Sequence, residues 1–355
     1  MERPQTARVE AQADVGVDVG VVPAIDDLPG DAVPDAGLVE AEVALGRDLE
    51  AYQPPTPRRD RRARRAWVRP VVGFVAIIAV LVVLWEGAKW IAGDPWDITS
   101  ILGIPVTIVH NPPSRWTPVN DINLPHVWLI FESFVETDAN GETLLQGLVA
   151  AALFTFRGAA IGFALGASVG LLLAIMLVHV RFLERALLPL LVASQTIPII
   201  AIAPVIVVGL KAGWFSIAIV ASYLTFFPVT VAAIRGMRSA DPRAYELMRS
   251  YAARDRTVLW RLRLPASTPY LFTAFKIAAT ASVVGAIVGE LPSGIRDGLG
   301  GTLLTSMQYY SIQPERLWAA IAVAAALGIF CFVLVVIVER WALRNYRPTE
   351  PGAAA

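Results

Sequence analysis

Cysteine is nearly missing from this sequence. Cys331 is the single one, set in an apolar run, so there is no disulfide framework and no thiolate metal cluster. Its reading is a small buried apolar residue. Lysine is as scarce. Lys89, Lys211 and Lys276 follow Ala88, Leu210 and Phe275, so no Gly-Lys-Ser/Thr phosphate loop exists and the chain is not itself an ATPase by that motif. His110, His126 and His179 are scattered without metal-ligand spacing. Charge is also sparse, at 17% of 355 residues, where soluble domains carry roughly a quarter.

What is present is hydrophobic: 55% of the residues, with a mean hydropathy of +0.57. That combination points to a polytopic membrane protein, and the spans read along the chain below give it an all-α fold with six transmembrane helices. The formal net charge is zero, but the charges are segregated along the chain. Residues 1–66 form an acidic tail, read as disordered and cytoplasmic with a weak helix at 37–51. The tail ends in a basic run of Arg58, Arg59, Arg61, Arg62, Arg64 and Arg65 that, with Arg69, anchors the first span (67–92) at anionic lipid headgroups. Residues 93–141 are a polar connection with an excess of acids, punctuated by proline and tryptophan, and belong outside. Within it, 94–123 reads as an insertion.

The core is 142–344, followed by a short tail at 345–355. The apolar stretch 144–178 exceeds the ~20 residues of one upright span, and is divided into an interfacial helix at 142–155 and a span at 156–178. Gly158, Gly162, Gly166 and Gly170 recur every fourth residue on that span, a face for close helix contact. A basic turn with His179, Arg181, Glu184 and Arg185 precedes a third span, 187–210, interrupted by Ser194, Gln195, Thr196, Pro198 and Pro204. Polar groups and prolines at that depth suit backbone that lines a cavity or packs on neighbouring helices. The fourth span (214–234) carries Ser222, Tyr223 and Thr225, and the fifth (270–291) carries Ser282 and ends at Glu290. The sixth covers 316–341. Gln195, Thr196, Pro198, Ser222, Tyr223, Thr225 and Ser282 are the candidates for a translocation path, against a packing role. With both termini inside, nearly all loop arginine falls on one face, as the positive-inside rule requires.

The loop at 238–265 is the most informative stretch. Arg243, Arg249, Arg254, Arg256, Arg261 and Arg263 crowd into it, while Leu247, Met248 and Tyr251 form one apolar patch on a short helix. Pro265 is read as stopping the helix before the next span. Glu246, two apolar residues, Ala252 six positions on and then Leu264-Pro265 resemble the EAA loop of permease subunits in bacterial ATP-binding-cassette importers. Leu247 and Met248 replace that family's two alanines, and Ala252 its glycine. Trp85-Glu86, Arg157, the run QTIPIIAIAP from Gln195, Phe226-Phe227-Pro228 and Glu290 also resemble the nitrate, sulfonate, taurine and pyrimidine-precursor branch.

The resemblance implies a type I importer permease fold. It also implies that Glu246, Leu247, Met248, Tyr251, Ala252, Arg254, Leu264 and Pro265 dock on an ATPase subunit. ATP and Mg would be bound by that partner, with no cofactor in this chain. A second permease copy and an extracytoplasmic solute-binding protein complete the assembly, and the chain would be a transport subunit of the cell membrane. The alternative, a secondary transporter driven by an ion gradient, requires inverted repeats and a buried ion-coupling carboxylate.

Overall fold

The computed structural model describes residues 68–101, 104–137, 141–211 and 213–345. The readings of the tail at 1–66, its helix at 37–51 and its arginine run, and of residues 346–355, lie outside the described residues. The chain divides between Val75 and Ala76 into two compact units, of which the first is described only from Val68 onward. Helix α1 (Val68–Ala92) leads into strands β1 (Trp96–Ile101) and β2 (Ile104–His110), then short α2 (Val127–Ser133) and long α3 (Leu144–His179). Next come α4 (Arg181–Ser194), α5 (Ile199–Gly209), α6 (Trp214–Arg238), α7 (Pro242–Ser250) and the single turn α8 (Asp255–Val258). The chain continues through α9 (Leu264–Glu290), α10 (Leu299–Gln308) and α11 (Pro314–Ala342). Among the described residues five helical runs are long and apolar enough to cross a membrane, and the bent pair α4–α5 makes a sixth.

Helix α3 corrects the division expected at 155/156. It runs unbroken for 36 residues, about 54 Å at 1.5 Å per residue. No proline interrupts it. Its start is fixed by a capping box, in which Thr143 Oγ1 accepts from Gln146 N–H and Gln146 Oε1 accepts from Thr143 N–H. The string GASVG at 166–170 has the spelling of a nucleophile elbow but lies mid-helix, without the strained strand-to-helix turn of that motif. The charged residues Arg181, Glu184 and Arg185, expected in a turn, open α4 instead.

The glycine row of α3 packs within the chain, on α6. A Cβ at Gly162 would sit 2.7 Å from Ala218 O, and one at Gly166 2.6 Å from Ser222 O. Gly158 lies on Ile217 and Gly170 on Phe226 O. From the other side α9 brings Gly285 against Ala221, and Gly289 against Ile217 and Val220. Helix α6 is therefore clasped between two helices at backbone distance, where dispersion and shape, rather than water exclusion, hold helices together in lipid. Ala218, Val220, Ala221, Val229 and Ala233 are fully buried there.

The connection 93–141 is more structured than a polar loop. Its β-branched residues (Ile98, Thr99, Ile101, Ile104, Val106, Thr107) pair in an antiparallel hairpin with Trp96 opposite His110. This hairpin and the segment after it meet the last turn of α1, whose carbonyls would otherwise lack partners. Ser114 N–H donates to Ile91 O, Trp116 N–H to Ala92 O and His110 Nε2 to Trp90 O. The buried Lys89 ammonium pairs with Asp121 and donates to Leu124 O. Trp85 Nε1 donates to Pro125 O, and the Glu86 carboxylate accepts from Val127 N–H and His126 Nδ1.

The clasp makes a direct prediction. Gly166→Val must push the Ser222 backbone and the Thr225 side chain away, and is expected to cost about 2 kcal/mol, the scale of overpacking a tight interface. Thermal unfolding in detergent reads this as a lowered midpoint. Gly328→Ala, which meets nothing within 4 Å in a helix interior where alanine is favoured over glycine, does not lower the midpoint.

Candidate functional site: the exposed loop helix and the broken span

Helix α7 starts where Asp241 caps it, its carboxylate accepting from Arg243 N–H at 2.9 Å, with Pro242 at the first helical position. None of its residues is buried. Leu247 is 58% exposed and Tyr251, one turn on, is 79% exposed, so the apolar patch faces away from the chain. Met248 is half-buried. Glu246 lines a recess of about 300 Å³ together with Met237, Arg238, Pro242, Tyr245 and Arg263. Arg263 stacks over the Tyr245 ring, and Arg238 pairs with Glu184 of α4 at 2.6 Å.

The helix ends in a Schellman arrangement. Ala252 N–H donates to Arg249 O and Ala253 N–H to Met248 O, while Ala252 takes φ of 51°, the left-handed region. This backbone asks for glycine, the residue that the resemblance places here. Arg254 is exposed and extended and leads into α8. Pro265 does not stop a helix, contrary to the sequence expectation. It opens α9, and the run from Asp255 to Ser293 is continuous. A π turn at Leu259–Arg263, closed by Leu264 N–H donating to Leu259 O, widens the helix just before the proline, where its ring would otherwise meet the carbonyl four residues back. Leu264 is half-buried there and Pro265 exposed. Six of the eight expected docking residues thus lie on α7 and the turn after it, and two begin α9.

The broken span is a bend of 98° between α4 and α5. Pro198 caps α5, and the residue before a proline disfavours the helical region. The carbonyls freed at the end of α4 are taken locally. Thr196 N–H and Oγ1 both donate to Ala193 O, Ser194 Oγ to Leu191 O, and the Tyr223 hydroxyl of α6 donates to Ser194 O. Gln195 is half-buried, whereas Thr196 and Pro198 are exposed. Gln195, Thr196, Pro198 and Tyr223 therefore gather at one break. Ser222, Thr225 and Ser282 lie elsewhere: each bonds a carbonyl of its own helix, and Ser222 and Thr225 abut Gly166. Glu290, absent from the expected site, is 1% exposed.

The described spans thus form a helical bundle with a polar break in one span and an exposed amphipathic helix between two others. Residues 162–344 match the family described as the binding-protein-dependent transport system inner membrane component. The chain belongs to this family and is a permease subunit of an importer of the ATP-binding-cassette class. It is 37% identical over 175 residues to the formylaminopyrimidine transport permease protein of Halalkalibacterium halodurans, covering 49% of this chain and 69% of that one. It is 31% identical to the riboflavin transport system permease protein of Chloroflexus aurantiacus, covering 47% and 61%. The putative aliphatic sulfonates transport permease protein of Bacillus subtilis is 25% identical, covering 81% and 91%.

The left-handed alanine is testable. Ala252→Gly is expected to stabilise the end of α7 by about 1 kcal/mol, the strain of a side chain in this region. Hydrogen exchange at the Ala252 and Ala253 amides should slow roughly fivefold by the same figure. Faster exchange would refute the strain.

Proposed function

We propose that this chain forms the translocation path of an ATP-driven importer and is coupled through α7 to a separate ATPase subunit, which binds ATP and Mg. The observation that carries the reading is the outward patch of Leu247 and Tyr251. It lies on a helix capped at both ends and set directly before the continuous run Asp255–Ser293. A partner that moves α7 moves the first turn of a spanning helix, so ligands on the partner bias the packing of the spans through differential contacts. The working unit has two permease copies, two ATPase subunits and an external solute-binding protein, in a lipid bilayer with both termini of the chain on the cytoplasmic side.

The cargo is a small solute. Relatives named for formylaminopyrimidine and riboflavin transport, at 37% and 31% identity, support a heterocyclic vitamin or precursor as cargo, and the relative named for aliphatic sulfonates, at 25% over more of the chain, supports a sulfonate. Family membership weighs against the ion-gradient alternative. The buried carboxylate which that alternative requires has a counterpart in Glu290, but this side chain is already bonded by Gly300 N–H and the Thr155 hydroxyl.

Affinity purification in mild detergent from the native host tests the coupling. An ATP-binding-cassette subunit is expected with the wild-type chain and at least tenfold less with Leu247→Asp, because a desolvated carboxylate in an apolar contact costs several kcal/mol. Membrane insertion stays the same. Equal recovery with both chains would remove α7 as the docking element.

A further inference from the structure

Glu290 is the last residue of α9, and its carboxylate joins three helices. Oε2 accepts from Gly300 N–H of α10 at 2.7 Å and from Thr155 Oγ1 of α3 at 3.1 Å. Thr155 Oγ1 in turn accepts from Leu299 N–H at 2.9 Å. Two of the N–H groups that open α10 are therefore satisfied by one carboxylate and one hydroxyl, at the end where a negative charge is favoured. The seat is shaped for this side chain. A Cβ at Gly298 would fall 2.4 Å from Glu290 Cδ, and one at Gly300 would fall 2.6 Å from Glu290 Cβ. Thr155 and Glu290 are both essentially without exposure, and Leu299 is fully buried beside them.

The opposite end of the same rod is the exposed loop. The helical run from Asp255 to Ser293 has 39 residues, about 58 Å at helical rise. It starts three residues after the αL turn that closes α7. We infer that Glu290 is a positioning residue for transport: it latches α10 to α3 at the far end of the rod that α7 moves, so that displacement at the loop is delivered to the α3–α10 junction. The inference rests on the proposed function for the origin of the movement, and on the hydrogen bonds alone for the latch. Glu290 Oε1 has no hydrogen-bond partner among the described residues. The amide nitrogen of Gln in its place breaks no bond, and the acceptor oxygen at Oε2 is retained. Ala removes the acceptor.

The test uses the full chain with Cys331→Val and spin labels at Val149→Cys on α3 and Met307→Cys on α10, both exposed positions. In the isolated chain a single narrow label distance is expected, kept by Glu290→Gln and broadened at least twofold by Glu290→Ala and by Thr155→Val. With the copurified ATPase present, trapping nucleotide with vanadate should shift that distance in the wild type and in Glu290→Gln. The shift should be lost in Glu290→Ala and Thr155→Val while the ATPase still copurifies. Should Glu290→Ala not fold, Thr155→Val decides alone. A distribution unchanged by Thr155→Val overturns the latch, and an unmoved wild-type distance with the ATPase bound overturns the lever. If no ATPase copurifies with the wild type, the proposed function falls, and the latch is still decided by the measurement on the isolated chain.

Discussion

The contact on which the rest of the structure depends is the approach of α3 and α9 to α6 without intervening side chains. Gly162 and Gly166 on one flank and Gly285 on the other let three helix backbones meet at distances that a methyl group would forbid, and Gly289 packs nearly as closely. In a bilayer the lipid tails are as apolar as leucine, so burial alone does not choose partners. Interlocking small residues supply the specificity instead. The many large apolar side chains on α1 and α11 that remain exposed, such as Val83, Leu84, Ile329 and Ile337, fit helices whose outer faces meet lipid.

Around this clasp, the irregular parts follow from one requirement, that backbone groups away from water keep their partners. The bend between α4 and α5 survives because Thr196, Ser194 and Tyr223 take up the carbonyls it frees. The end of α1 is closed by groups from the hairpin and from Ser114 and Trp116. The start of α10 is closed by Glu290 and Thr155. At each of these three breaks the partners come from residues distant along the chain or from a polar side chain at the break.

The spans were legible because hydropathy and the segregation of arginine act over many residues, and the resemblance at the loop and at QTIPIIAIAP was already visible in the letters. The glycine row of α3 read correctly as a packing face, but its partner α6 could not be named, since contact between Gly166 and Ser222 is a tertiary fact. Dividing 144–178 failed because a length rule was applied where no residue breaks the helix. Reading Pro265 as a stop failed because a π turn, which has no sequence signature of its own, makes room for the ring. The hairpin is hidden in the sequence because acids and prolines surround its β-branched run and give the segment the composition of a loop. Glu290 stands out as an acid at the end of a span, but its significance depends on Thr155, 135 residues away. Of the seven candidate path residues, the structure gathers four at the broken span.

The central claim is that the run Asp255–Ser293 carries the loop helix on one side of the membrane and the hairpin connection lies on the other. Single cysteines at Arg115 and Asp255, both exposed, test it in intact cells with a membrane-impermeant maleimide, and the buried Cys331 leaves the background low. The account predicts that Arg115→Cys is labelled from outside, and that Asp255→Cys is labelled only after the membrane is opened. Labelling of Asp255→Cys in intact cells, with Arg115→Cys protected, would contradict it.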